Sequence, residues 1–162
     1  MAAVDALHAF GTDELKQKYL EKLISGIWMG TSEGVRLVAR EGQGSDVLPA
    51  EARWKSFQSL ALGSARGPLF VADLETGAGG VTKKTKRGLW GMDSSGLLWP
   101  LIREGDSIAL GERSLQINQF SALVPGAGAE GSARGLSPSG AHIAVQTQFD
   151  DRTQAILAIE MP

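Results

Sequence analysis

Residues 88–105, GLWGMDSSGLLWPLIREG, decide the fold because they repeat residues 26–42, GIWMGTSEGVRLVAREG. The tryptophans of the two Gly-Ile/Leu-Trp motifs are 62 residues apart, and the two Arg-Glu-Gly tripeptides are 63 residues apart. Residues 54–57 and 117–120, each of which ends in Phe, continue the match at an offset of 63 residues. Three landmarks at nearly constant spacing predict that the chain contains about two copies of one structural unit.

The repeat divides the chain into four parts. Residues 1–24 precede the first copy, and residues 25–87 and 88–154 form the two copies. Residues 155–162 fall where Gly-Ile-Trp would stand in the next copy, so we expect them to supply the first strand of a third, truncated repeat.

Each copy has the pattern of short strands separated by glycine turns. Residues 142–149 alternate between two faces with a period of two, which is typical of a strand with one buried face. Residues 30–34 and 93–96 have the Gly, Ser and Asp content of hairpin turns. These features predict an all-β fold of short antiparallel strands in about two tandem repeats, arranged as propeller-like blades or, alternatively, as a β-sandwich.

Open sheet edges follow from this architecture. A closed propeller has about four to eight blades, so two repeats would leave strands without a neighbour. Unpaired edges bind other strands. We therefore expect either a part of a longer repeat protein or a homo-oligomer that forms through the open edges.

The N-terminal segment has a different pattern. Thr12 can cap a helix that has acidic residues in its first turn. Leu15, Tyr19 and Leu23 then form a stripe at a spacing of four residues. Residues 12–24 are therefore predicted to form a short helix that caps the repeats, and the alternative is a long loop that enters the first repeat.

Composition excludes several classes of function. The chain has 16 basic and 18 acidic residues, which argues against nucleic acid as a partner. No stretch is long and apolar enough to predict a membrane span. The absence of cysteine excludes disulfides, Cys-ligated zinc and a thiol nucleophile.

The repeat motifs resemble those of a bacterial family, the choice-of-anchor proteins with an Asn-x-x-Gly-x-x-Ala-Phe repeat. The similar motifs are the Gly-Ile/Leu-Trp strand, the segment that ends in Arg-Glu-Gly, and residues 136–144, which read Leu-x-x-x-Gly-x-x-Ile-Ala and are similar to a Leu-x-x-x-Gly-x-x-Ala strand. The resemblance covers residues 25–160. It implies a propeller-like bacterial protein, extracellular or on the cell surface, and it implies no catalytic residues.

Candidate ligand-binding residues come from two sources. Two tryptophans have no equivalent in the other copy, which leaves them freer to stack on a sugar or to anchor a partner. A basic cluster could contact an anionic surface or a glycan, although a solvated loop is the simpler interpretation. The predicted ligand-binding residues are Trp54, Trp99, Lys83, Lys84, Lys86 and Arg87.

No constellation predicts a catalytic, metal or cofactor site. Residues 126–131 match the Gly-x-Gly-x-x-Gly fingerprint, but the glycines and proline that follow cannot continue the required helix. The two histidines, His8 and His142, have no nucleophile motif beside them. The prediction is a non-enzymatic binding or scaffold module for protein or glycan. The alternative is a carbohydrate-acting hydrolase or lyase that would use Glu41, Glu104 and Asp106.

Overall fold

The computed structural model describes residues 26–32, 34–62, 67–122, 135–137 and 139–161. The helix predicted for residues 12–24 and the loop of residues 126–131 lie outside these ranges. Apart from a 3₁₀ turn at Ala78–Gly80, the described regular structure is β-strand, and every ladder is antiparallel. The all-β prediction is therefore confirmed. The strands are β1 (Gly26–Thr31), β2 (Gly34–Arg40), β3 (Trp54–Leu62), β4 (Pro68–Leu74), β5 (Arg87–Met92), β6 (Leu98–Arg103), β7 (Ser107–Leu110), β8 (Arg113–Ser121), β9 (His142–Phe149) and β10 (Gln154–Glu160).

The described strands form three sheets. Strands β1 and β2 form a hairpin sheet, β3-β4-β5-β6 form a central sheet, and β10-β9-β8-β7 form a third sheet. The central sheet crosses the boundary between the two sequence repeats, because β3 and β4 belong to the first copy and β5 and β6 belong to the second. Strand β10 pairs with β9 as β5 pairs with β4.

The two copies share the register of their ladders as well as their residues. Trp28 pairs with Leu37 and Trp90 pairs with Pro100, and each ladder shifts register at the step just before the tryptophan. The ladder of β3 with β4 shifts after Trp54, and the ladder of β8 with β9 shifts after the equivalent residue, Ile117. A β-bulge at equivalent positions increases the twist of equivalent strands locally, so these strands bend in similar ways in the two copies.

The two Arg-Glu-Gly turns form the same backbone hydrogen bonds. Gly42 N donates to Trp54 O at 2.8 Å, and Gly105 N donates to Ile117 O at 2.8 Å. Both glycines have a positive φ, 75° and 92°. A side chain with Cβ is disfavoured at this φ, which explains why Gly ends the tripeptide in both copies.

Two apolar cores lie on opposite faces of the central sheet. One core lies between the hairpin sheet and the central sheet, and it contains Ile27, Trp54, Phe70 and Trp90. The other lies between the central sheet and the third sheet, where Leu89 packs with residues of β8 and β9. The chain is thus a stack of sheets with apolar residues in each gap.

The outer face of the third sheet differs from its equivalent in the central sheet. Register places Leu157 at the position of Trp90, so Ile156 takes the place of Leu89. Leu89 is fully buried, whereas Ile156 is 77% exposed. The other residues of this face in β9 and β10 are polar or small and mostly exposed: His142, Ala144, Gln146, Gln148, Gln154, Ala158 and Glu160. The outer face of the third sheet is therefore more polar and more exposed than the equivalent face of the central sheet.

Candidate functional site

Charged side chains gather around a buried carboxylate where β4 ends and β5 begins. Asp73 is only 5% exposed, and it pairs across the ladder with Arg87. Its carboxylate forms an ion pair with Lys86 Nζ through Oδ2, and Arg87 Nε lies 3.4 Å from Oδ1. Arg87 Nη2 also donates a hydrogen bond to Gln58 Oε1. Two cations and one amide therefore fix the buried carboxylate and the guanidinium in a defined geometry.

Glu104 adds a second carboxyl group to this cluster. Its backbone N–H donates to Arg87 O at 2.9 Å, so the chain itself holds the residue beside the cluster. Burial raises the pKa of the Glu104 carboxyl above its ordinary value of 4.5. Attraction to Arg87 opposes the rise, and repulsion from Asp73 adds to it. The net direction follows from the cost of removing a carboxylate from water.

A polar cleft of about 370 Å³ lies beside Arg87. This volume is at the lower end of the range for small-molecule sites, about 300–1,000 Å³. Gln119 Nε2 donates to Gln148 Oε1 at 2.7 Å, and Gln146 Nε2 is 3.4 Å from Gln154 Oε1. An amide has two donor hydrogens and a carbonyl acceptor, so each of these side chains retains capacity for a ligand. The remaining lining residues are Phe120, Ser121 and Thr147.

Two of the cleft residues have repeat equivalents in the charge cluster. Gln148 takes the place of Asp73, and its ladder partner Gln154 takes the place of Arg87. One copy therefore has an ion pair at this ladder position, and the next copy has two neutral amides. The cleft lies between the two, because it is lined by Arg87 from the ion pair and by Gln148 and Gln154 from the amide pair.

The structure separates the predicted ligand-binding residues. Lys86 and Arg87 lie in the charge cluster, and Arg87 also lines the cleft. Lys83 and Lys84 are exposed in the turn that precedes the cluster. Trp54 is 1% exposed and packs in the core, with its ring centroid 4.7 Å from that of Trp90. The sequence analysis did not identify the glutamines of the cleft. The pattern that could have indicated them is the spacing of Gln146 and Gln148 on one face of β9, followed by Gln154 in the next strand.

Trp99 lies at the opposite end of β5 and β6, where it is 45% exposed. Its indole N–H donates to Asp93 Oδ2 at 2.9 Å. Asp93 Oδ1 accepts hydrogen bonds from Ser95 N, Ser95 Oγ and Leu97 N. These bonds, above all those from Ser95 and Trp99, hold the pKa of Asp93 well below its usual range. The turn therefore fixes the orientation of an exposed aromatic ring.

The three carboxylates of the alternative enzyme hypothesis lie in turns. Asp106 Oδ2 accepts a hydrogen bond from Arg103 N at 2.7 Å, which closes the turn after β6. Glu41 and Glu104 occupy equivalent turns, where Glu41 is exposed and Glu104 is buried. Within the described ranges, no group of three or more His, Asp or Glu side chains is arranged to hold a metal ion.

A family model covers nearly the whole chain, matching residues 8–160. The chain belongs to the family of unknown function DUF7453. No curated protein and no solved structure matches it. Membership of DUF7453 carries no description of activity, so the resemblance to choice-of-anchor repeat proteins stays a prediction. Among the described residues, no helix has the length and apolar character required to cross a bilayer.

Proposed function

We propose that this chain is a non-enzymatic binding module whose cleft takes a neutral glycan. The observation that carries the proposal is the lining of the cleft, where Gln119, Gln146, Gln148 and Gln154 lie beside an Arg87 that is already paired with Asp73. Neutral amides donate and accept hydrogen bonds at once, which suits sugar hydroxyl groups. Arg87 is the one charged residue among those that line the cleft, and the carboxylate of Asp73 beside it reduces the attraction of the cleft for an anion.

The remaining lining residues favour the same class of ligand. Phe120 offers an apolar ring surface, and Ser121 and Thr147 offer hydroxyl groups. A few polar groups at fixed positions around a concave site provide orientation and specificity. Glycan binding also agrees with the extracellular or cell-surface location that the family resemblance implies, which we retain as part of the proposal.

Titration calorimetry with a panel of neutral hexose and N-acetylhexosamine oligomers tests the proposal. We expect at least one oligomer to bind, and Gln148→Ala to weaken its binding about tenfold, the effect of losing one or two hydrogen bonds. Asn118→Ala is the matched control, because Asn118 is an exposed amide of β8 that does not line the cleft. Absence of binding across the panel, or equal weakening by both variants, would contradict the proposal.

One observation favours a second function, the hydrolysis of a glycan. The Glu104 carboxyl has a raised pKa and lies near the Asp73 carboxylate, and glycosidases use one protonated and one ionised carboxyl group. Glu104→Gln and Glu41→Gln are matched variants in equivalent turns. Release of reducing ends from the bound oligomer by the native chain and by Glu41→Gln, but not by Glu104→Gln, would replace the binding proposal with an enzymatic one.

A further inference from the structure

The outer edge of the third sheet has no neighbouring strand among the described residues. Strand β10 is the terminal strand of the order β10-β9-β8-β7. Phe149 N donates to Thr153 O and Met161 N donates to Ala141 O at the two ends of its ladder with β9. Because antiparallel ladders alternate, the backbone groups of residues 154, 156, 158 and 160 point away from β9.

The central sheet shows what an edge of this type binds. The equivalents of residues 154, 156 and 158 are Arg87, Leu89 and Gly91 of β5, whose backbone groups point toward β6. Arg87 O accepts a hydrogen bond from Glu104 N at 2.9 Å on that side. The same edge is thus filled by an antiparallel strand in one copy of the repeat and is unfilled by any described strand in the next.

Strand β10 also lacks the features that protect exposed edges. It contains no proline, no lysine and no bulge, and its one charge is Glu160 at the end. Ile156 at its centre is 77% exposed, and the alternate residues Ala155, Leu157 and Ile159 are half-buried against the core. Soluble proteins rarely leave such an edge unpaired.

We propose that β10 pairs antiparallel with β10 of a second copy of this chain about a twofold axis at Ile156. This inference is independent of the proposed glycan site. The register places the two Ile156 residues opposite each other, so that each exposed side chain contacts the other. It also places Leu157 opposite Ala155 of the second copy, which extends the apolar face, and directs Glu160 toward the exposed turn residue Arg152 of the second copy. The charges of this pairing are complementary, and the interface is self-complementary, as a twofold dimer requires.

The absence of cysteine allows a direct test of this register. Opposed residues of a hydrogen-bonded antiparallel pair have Cα atoms about 5.5 Å apart, which fits a disulfide. We expect Ile156→Cys to form a disulfide-linked dimer rapidly under mild oxidation. Ala158→Cys is the matched control, because residue 158 lies on the same exposed face but opposes residue 154 of the second copy. Equal cross-linking of both variants would show random collision and would overturn the register.

Light scattering after gel filtration, over a range of concentrations, tests the dimer itself. Ile156→Pro removes an outward N–H without removing a bond to β9, and proline is tolerated on that side of an edge strand. We expect the native chain to be a dimer and the Ile156→Pro variant to be a monomer with an unchanged circular dichroism spectrum. The Ala144→Lys variant should remain a dimer, since Ala144 lies on the outer face but in β9, an inner strand of the third sheet. A native chain that is monomeric throughout, or a dimer lost with Ala144→Lys and kept with Ile156→Pro, would overturn the proposal.

Discussion

At the scale of single residues, carboxylates with opposite pKa shifts mark the two ends of the strand pair β5 and β6. Asp93 sits at the hairpin end and accepts hydrogen bonds, and Glu104 sits at the other end and is buried. Hydrogen bonds favour the charged form and burial favours the neutral form, so the two residues couple folding to pH in opposite directions.

Replacement of Asp93 by Asn is expected to destabilise the chain at neutral pH and to have less effect in acid. The folded-state pKa of Asp93 lies below the ordinary value of 3.8, so its stabilising contribution is complete above that pH. The contribution is lost as the pH falls toward the lowered value. Melting temperatures of the native chain and the variant, measured from pH 7 to pH 2, should differ by a constant amount above pH 3.8 and should begin to converge below it. A difference that stays constant below pH 3.8 as well would show that the carboxylate charge contributes nothing.

Replacement of Glu104 by Gln is expected to have the opposite pH dependence. A carboxyl whose folded-state pKa is raised above 4.5 destabilises the fold increasingly as the pH rises from 4.5 to that raised value, and below 4.5 it is neutral in both states. Glu104→Gln should therefore raise the melting temperature at pH 7 and leave it nearly unchanged near pH 4. A variant that melts lower than the native chain at pH 7 would show that Glu104 gains more from Arg87 and Lys86 than it loses by burial.

At the scale of elements, the first strand of each copy, β1 or β5, depends on one glycine. A Cβ on Gly88 would lie 2.5 Å from the Trp90 ring, and a Cβ on Gly26 would lie 2.7 Å from Ala39 O. The Trp90 ring is buried and cannot move aside, because Trp54 and Phe70 pack on it. The glycine that precedes Ile/Leu-Trp therefore makes room for the aromatic core in one copy and for the neighbouring strand in the other.

Replacement of Gly88 by Ala should lower the free energy of unfolding by about 1–3 kcal/mol, the usual cost of overpacking a core. Gly30→Ala is the matched control, since a Cβ there would meet nothing within 4 Å. We expect that variant to change stability by no more than about 0.5 kcal/mol. Urea denaturation followed by circular dichroism measures both values, and equal costs would contradict the steric explanation.

The strands and turns were predictable from the sequence because they depend on local chemistry. A glycine at the end of each Arg-Glu-Gly tripeptide, Gly42 or Gly105, indicates a positive φ. The 63-residue offset between the copies indicates that equivalent strands pair in the same register. The membership of each sheet was not predictable, because nothing in residues 75–86 indicates that they connect neighbours within one sheet. The cleft was also hidden, since Gln148 meets Gln119 only through the ladder of two strands that lie far apart in sequence.

At the scale of the whole molecule, the central sheet contributes to both cores. Trp54 and Trp90 report on the core beside the hairpin sheet, and Ile143 lies in the core beside the third sheet. Because β4 and β5 have one face in each core, damage to either core should weaken the sheet that both share. The chain should then unfold as one unit.

Replacement of Ile143 by Ala tests this coupling. Ile143 is fully buried, so truncation should cost about 2–5 kcal/mol. We expect tryptophan fluorescence and circular dichroism to show one coincident transition in the native chain, and the variant to shift both signals to the same lower midpoint. A fluorescence midpoint that stays at the native value while circular dichroism shifts would show that the two cores unfold separately.

The boundaries of the sequence repeats do not coincide with the boundaries of the sheets, and this affects how a gene of this kind can gain or lose a repeat. The second copy, residues 88–154, begins with strands that complete the central sheet and ends with strands that start the third sheet. Recombination that removes or inserts a whole copy therefore rejoins complementary halves, and no internal edge is left without a neighbour. A lineage can lengthen or shorten its array without passing through a broken sheet, and each inserted copy is joined to its predecessor by a full ladder of backbone hydrogen bonds.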